Sequence, residues 1–322
     1  MRNLIITHGD VDGICSGALV LSALSGKAGV LFSNPTGLLE DLRAADSYDS
    51  IFITDIAIDE GSMRLLRERF VELTAKKELT YIDHHPLPDN WPADNVVHSE
   101  NRCASELVHE YFRASIPKEM ERVLVMGTLG DYNDRTPYVN KILMDWDKRS
   151  LYFQAGILIQ ASFDIGRNYN RKRQILKALA SGKLPSEIPG LMESALSATR
   201  DEEKMRIQIK SKVRTLRHLA YVVGMRGSMA KAAIYAAASG NKMLGAAAEY
   251  RESKDVYDFS FRVRDGIDIN HILRAVAPKC GGSGGGHKFA GGARIPAARV
   301  EEFLQTLDDV LYASTLRESA PR

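Results

Sequence analysis

Cysteine is scarce in this sequence of 322 residues: there are three, Cys15, Cys103 and Cys280, widely spaced and odd in number. They form neither a disulfide framework nor a CxxC zinc site, and they read as small buried residues in a reducing compartment. No apolar run reaches the roughly 18 to 20 residues that a membrane helix needs. The opening MRNLIITHGD enters a strand pattern without signal-peptide features, so a cytoplasmic protein without a membrane partner is expected. The phosphate-binding glycine motifs are missing as well. The run Gly281 to Gly286 is followed by no GK[ST], which excludes a P-loop, and it does not open a helix after a buried strand, which excludes a dinucleotide fingerprint.

Net charge is small, at +2, but unevenly distributed. Residues 1–148 carry 15 Lys and Arg against 24 Asp and Glu, a balance of −9, and residues 149–226 carry 15 against 6, a balance of +9. Excess acid in the first segment suits metal binding. The basic middle segment reads either as a polyanion contact or as solvated helix faces.

A hydrophobic content of 44% with 26% charged residues suits a globular chain with room for two cores. Short apolar runs at 2–7, 30–32, 51–54 and 79–82 alternate with helical patterns at 14–25, 37–45, 60–70, 103–114 and 119–129. That alternation predicts βαβ units and a parallel sheet, with ligands at the carboxyl edge of the strands. Residues 140–218 are helical in pattern, ending in a long amphipathic helix over 191–219. A smaller α+β domain follows, with strands at 220–223, 244–250 and 256–263 and helices at 229–238, 269–277 and 300–311. The expected domains are 1–140, a helical connector 141–218, and 219–322.

The stretch Tyr81-Ile82-Asp83-His84-His85-Pro86 ends a buried strand with one carboxylate and two imidazoles, and Pro86 stops the strand. Taken alone it is also compatible with a polar surface turn. Three further clusters argue otherwise. His8, Asp10 and Asp12 alternate after the first strand, Asp55 ends the third, and Asp131 follows Gly127-Thr128-Leu129-Gly130. Asp12 and Asp55 could each be a helix N-cap, a reading that leaves His8 and Asp10 without a role. His8, Asp10, Asp12, Asp55, His84 and Asp131 are hard or intermediate ligands without thiolate, which fit Mn²⁺ or Mg²⁺ better than structural zinc. Four carboxylates and two histidines suit two ions roughly 3.5 to 4 Å apart, the arrangement that hydrolyses phosphodiesters.

Two other segments stand out. Arg167-Asn168-Tyr169-Asn170-Arg171-Lys172-Arg173 mixes cations with an aromatic and reads as a nucleic-acid contact or, equally, as an exposed helix start. Gly284, Gly285 and Gly286 lead into His287 and Lys288, a flexible linker by composition or an anion pocket by its position within a folded pattern. Ser260 and Arg262 would share one strand face.

The set His8-x-Asp10-x-Asp12-Gly13, Asp55, Asp83-His84-His85 and Gly127-Thr128-x-x-Asp131 resembles the motifs of the DHH phosphoesterase family. Gly284-Gly285-Gly286-His287 with Ser260-x-Arg262 resembles that family's associated C-terminal domain. The resemblance implies an N-terminal parallel-sheet catalytic domain, a smaller C-terminal α+β domain, and a metal site in the cleft between them. It implies one Mn²⁺ on His8, Asp10 and Asp55 and a second on Asp12, Asp55, His84 and Asp131, with Mg²⁺ as the substitute. Asp83 would orient the histidines, His85 would lie over the scissile phosphate, and Arg262, Gly284 to Gly286, His287 and Lys288 would grip substrate. The HxDxD spacing is similar to the RecJ-type single-strand exonucleases, and the length to the short archaeal ones, some of which start at the 3′ end. The expectation is therefore an exonuclease on single-stranded DNA or RNA. The alternatives are a phosphodiesterase on linear or cyclic dinucleotides and a non-catalytic replication scaffold. DNA repair or replication proteins, or a second copy of the chain, would be its protein partners.

Overall fold

A computed structural model describes residues 2–92, 94–225, 227–264, 266–286 and 288–318. The chain divides into two compact units, residues 1–198 and 199–322.

In the first unit β1 (Asn3–His8), α1 (Val11–Ala23), β2 (Ala28–Ser33), α2 (Leu38–Asp41), β3 (Ser50–Thr54), α3 (Met63–Thr74), β4 (Glu78–Asp83) and β5 (Val96–His98) follow in order. All five strands pair in parallel, in the order β2-β1-β3-β4-β5, so their carboxyl ends share one edge. Successive side chains of a strand point to opposite faces, and β1 serves two cores in this way. Leu4 and Ile6 pack with Ile51, Ile53, Leu66 and Phe70 on one face, while Ile5 packs with Ile14, Cys15 and Leu19 of α1 on the other.

The chain continues through α4 (Ala104–Tyr111), α5 (Glu121–Gly130), α6 (Pro137–Ile142), α7 (Lys148–Ile165), α8 (Tyr169–Ala180) and α9 (Leu191–Lys212). Leu151, Ala155 and Leu158 of α7 and Ile175, Leu176 and Leu179 of α8 are buried in the core that holds Ile14 and Leu124. The helices expected to form a connector over 141–218 are thus built into the first unit as far as residue 198. Their apolar residues, at helical spacing, have a core to enter rather than a span to bridge. The long helix stops at Lys212, short of 219, because the chain turns there into β6 (Arg214–Thr215).

The second unit adds β7 (Leu219–Val223), α10 (Met229–Gly240), β8 (Leu244–Arg251), β9 (Val256–Val263), α11 (Ile269–Val276), β10 (Ser283–Gly286), β11 (Ala290–Pro296) and α12 (Val300–Glu318). Its sheet runs β10-β11-β9-β8-β7-β6, with β7 and β8 parallel around α10 and the other pairs antiparallel. The glycine run is the edge strand β10 rather than the expected loop, pairing Gly284 with Ala293 and Gly286 with Gly291. A Cβ on Gly286 would meet the Ala290 carbonyl oxygen at 2.5 Å, and its φ of +144° also calls for glycine.

Two buried polar groups make the stability of each unit testable. Asp308 of α12 is 3% exposed and accepts from the backbone N–H groups of Arg217, His218 and Leu219 at 3.0, 2.7 and 3.0 Å. Asp308→Ala strands three donors and is expected to lower unfolding free energy by about 2–4 kcal/mol in denaturant titration. In the first unit, His109 of α4 lies 2.9 Å by Nδ1 from the Tyr138 hydroxyl, and burial followed by the Arg113 charge lowers its pKa from 6.5 to about 4. The folded chain therefore takes up fewer protons at His109 than the unfolded one. Its stabilising contribution is complete above pH 6.5 and is lost as the pH falls toward 4. His109→Gln should flatten that part of the stability profile relative to wild type, measured by thermal melts across pH 4 to 7.

Candidate metal centre

Three adjacent strands deliver the site. β1 ends in His8, β3 runs into Asp55, and β4 ends in Asp83 ahead of His84 and His85. Because the sheet is parallel and in register, Thr7, Thr54 and Ile82 lie side by side, so the residues after them converge at one edge. Asp10 caps α1, its Oδ1 accepting from Gly13 N–H at 2.9 Å, and Gly13 is required there because a Cβ would meet the His8 carbonyl oxygen at 2.3 Å. The cap of this helix is thus Asp10 and not Asp12, which the sequence had offered, and capping leaves a ligand role open: Oδ1 caps the helix while Oδ2 faces His8 Nδ1 at 2.9 Å.

Asp12, in the first turn of α1 and 2% exposed, accepts from Ala104 and Ser105 N–H at 2.8 and 3.0 Å. Those amides are unpaired donors of the α4 N-terminus, where a carboxylate is favoured. Asp131 stands at the C-terminal end of α5, next to Tyr132 with φ of +55°. The helices close tightly around Asp12. A Cβ on Gly127 of α5 would meet Ser105 Oγ at 2.3 Å and Asp12 Oδ1 at 2.9 Å.

Asp55 is the pivot. It is 2% exposed, with φ of +58°, a left-handed conformation that costs a non-glycine residue energy. That turn sets Oδ1 at 3.3 Å from His84 Nε2 and Oδ2 at 3.8 Å from His8 Nδ1. His84 Nε2 is also 3.5 Å from Asp131 Oδ2. Donor atoms within 4.8 Å of one another form the groups His8-Asp10-Asp55 and Asp12-His84-Asp131, and a further one of Asp55, Asp83, His84 and His85.

Asp83, fully buried, is otherwise engaged. Its Oδ1 is 2.9 Å from His85 Nδ1, and its Oδ2 accepts from the Tyr81 hydroxyl at 2.8 Å and from His85 N–H at 3.2 Å. The His85 backbone oxygen in turn meets His98 Nε2 at 2.7 Å. The sequence reading did not single out His98, Tyr81 or Ser105. His98 lies on β5, a strand of three residues too short to leave a periodic signal.

The charges are unevenly accommodated. Burial would raise Asp10, but the charge and hydrogen bond of His8 outweigh it and hold the carboxyl below its usual range. Burial opposes Asp83 and His85 alike, yet their mutual bond holds the carboxyl low and the imidazole high. Asp55 has no such compensation. Burial and then the Asp10 and Asp12 charges push it well above the carboxylate range, and its buried Oδ2 has no hydrogen-bond donor among the described residues. Asp131 is pushed up to about 8 by burial and the same two neighbours. An anionic cluster holding an unserved buried oxygen, built from carboxylate and imidazole without thiolate, fits divalent cations of the Mn²⁺ or Mg²⁺ kind.

The predicted substrate residues lie in the second unit. Arg262 on β9 pairs with Ala290 of β11, and its Nη1 donates to the Phe261 carbonyl at 2.8 Å. Gly286 N–H donates to Asn270 Oδ1 at 3.0 Å. Lys288 Nζ lies 5.3 Å from the centre of the Phe289 ring, and its carbonyl accepts from Ile269 N–H at 3.0 Å. His287 lies outside the described residues.

The close approach at Gly127 yields a prediction. Gly127→Ala overpacks the Asp12 and Ser105 contact and should cost about 1–3 kcal/mol in a thermal melt. Gly156→Ala, whose Cβ would meet nothing within 4 Å on α7, should leave stability unchanged or raise it slightly.

Residues 2–128 match the DHH family, N-terminal domain, and residues 218–313 match the DHHA1 domain. A search of curated proteins returns no match. Among solved structures, RecJ in complex with Mn²⁺ from Thermus thermophilus superposes with a TM-score of 0.65 and 16% identity, over 99% of this chain and 52% of that one. A pGpG-specific phosphodiesterase from Vibrio cholerae gives 0.60 and 16%, over 98% of this chain and all of the other. CDC45 from Entamoeba histolytica gives 0.57 and 7%, over 95% and 94%. At these identities the likeness is one of fold. No helix among the described residues is long and apolar enough to cross a membrane. Its two matched segments account for the parallel sheet with its strand-end histidines and aspartates and for the smaller mixed sheet that follows, and the chain belongs to the DHH family of phosphoesterases.

Proposed function

We propose that this protein is a two-metal phosphodiesterase that shortens single-stranded DNA or RNA from an end, the 3′ end being the expected start. The observation that carries the reading is the linkage at Asp55. One oxygen faces the His8 and Asp10 group, and the other lies 3.3 Å from His84 of the Asp12 and Asp131 group. On this reading His8, Asp10 and Asp55 hold one ion, and Asp12, Asp55, His84 and Asp131 hold the other. Mn²⁺ or Mg²⁺ bound there supplies an acidified water and charge neutralisation at the phosphoryl oxygens.

The remaining residues position and supply protons. Asp83 fixes the His85 ring through Nδ1 and favours its protonated form, so His85 acts through Nε2, offering a hydrogen bond or a proton to the phosphoryl group. Tyr81 and the His85 amide keep the Asp83 carboxylate in place for that task. In the second unit Arg262, the glycine strand at Gly284 to Gly286, His287 and Lys288 are the residues assigned to the substrate phosphates.

A second reading is cleavage of linear or cyclic dinucleotides, since the fold is shared with the pGpG-specific phosphodiesterase over its whole length, as it is with RecJ exonucleases over 52% of one chain and 91% of another.

Asp55→Asn keeps the shape and removes the shared ligand. Turnover is expected to fall by about 10³-fold or more, since the charge stabilisation lost is worth several kcal/mol. Product lengths from end-labelled single strands and a linear dinucleotide, each with Mn²⁺ and with chelator, then separate the readings. Stepwise shortening supports the exonuclease and the labelled end gives its polarity. Cleavage confined to two or three nucleotides installs the second reading, and no Mn²⁺-dependent product in wild type removes both.

A further inference from the structure

The basic cluster at 167–173 has a specific place in the fold. Asn168 caps α8, its side chain accepting from Arg171 N–H at 3.1 Å. Arg171 donates to the Pro189 carbonyl, and Tyr169 stacks on Phe32 of β2 with ring centroids 5.9 Å apart and 18° between planes. Lys172 differs from its charged neighbours. It is 7% exposed, and its ammonium donates to the carbonyl of Gly9, the residue between His8 and Asp10.

The sequence provides for this reach in two ways. Gly17 of α1 would place a Cβ 2.8 Å from Leu176 Cδ1, so its missing side chain lets α8 lie close against α1. Lys172 is one turn before Leu176 on the same helix face and is therefore carried to the start of α1. At the other end Gly9 has no side chain to fend it off. A Cβ there would stand 3.3 Å from both Lys172 Nζ and Tyr169 Cε1. A lysine side chain loses much rotamer freedom on burial, and its ammonium loses hydration. Lys172 recovers a backbone acceptor, the face of Tyr169 at 5.7 Å, and attraction from Asp10.

We propose that Lys172 is a positioning residue. By clamping the Gly9 carbonyl it fixes the loop that aims His8 and Asp10 at the first ion, and it leaves the Asp12, His84 and Asp131 group untouched. The inference rests on the two-metal reading above. It adds to the centre a residue more than 160 positions along the chain that touches neither an ion nor substrate.

Mn²⁺ titration calorimetry on the full chain tests it, with Lys172→Met, Lys172→Arg and Gly9→Ala as variants and metal-free thermal melts as the folding control. Wild type should bind two Mn²⁺. Lys172→Met should weaken one site by about 10- to 100-fold, the range for residues that orient a ligand, and leave the other within about twofold. Lys172→Arg, which keeps a cationic donor, should recover most of the loss. Gly9→Ala pushes the ammonium away from the opposite side and should reproduce the one-site weakening, and it carries the test if Lys172→Met does not fold. In turnover, the Mn²⁺ concentration for half-activation should rise by the same factor while kcat at saturating Mn²⁺ stays within a few-fold, a split that a merely loosened fold does not give. Two sites unchanged in the folded variants, or both sites weakened equally, overturns the inference while the two-metal reading stands. A wild-type chain that binds no pair of Mn²⁺ overturns that reading and the inference with it.

Discussion

Five carboxylates gathered at the end of one parallel sheet repel one another, and much of the first unit is arranged around that repulsion. Asp12 is answered by the amides that open α4, Asp10 by Gly13 and His8, and Asp83 by Tyr81 and His85. Asp55 and Asp131 are not answered from within the chain to the same degree, and both are driven toward the protonated form. Burial outweighs the amide donors at Asp12 and raises it as well, so a fold that holds Asp10 and Asp83 low and leaves three members of the cluster raised has set an electrostatic demand that an external cation meets.

The same arrangement explains which glycines are needed. Gly13 lets the chain turn from β1 into α1 beneath the His8 carbonyl, and Gly127 lets α5 approach Asp12 and Ser105. Close approach of backbone to backbone holds the carboxylates nearer together than they would settle unaided. The left-handed turn at Asp55 belongs with these, since an ordinary extended residue there would not face both donor groups.

Much of this was legible in the sequence, for a physical reason. A buried parallel strand reads as an apolar run, and a charged residue at its end has no packing role, so His8, Asp55 and Asp83 announce themselves one after another. What escaped was short, featureless or disguised. β5 has three residues, too few for a period. The glycine strand β10 has a composition that fits a linker, and only pairing with β11 makes it a strand. Lys172 sits in a run of cations with the composition of a solvated face, and its burial follows from Gly17, far away in the sequence. Residues 141–198 appeared as a connector because helical periodicity shows that a face is apolar without showing which core receives it.

The position of β1 has a consequence for how the protein is made. Strand β1 lies inside the sheet between β2 and β3, and α1 behind it is covered by α5 and α8. During synthesis this part of the chain therefore cannot finish burying its apolar face until residues around 176 have emerged. Its partners are distant in sequence, which makes folding slow and leaves the nascent chain exposed through most of the first unit's synthesis. A fragment ending at residue 140, however natural its boundary looks in the sequence, would leave the ribosome with that face uncovered.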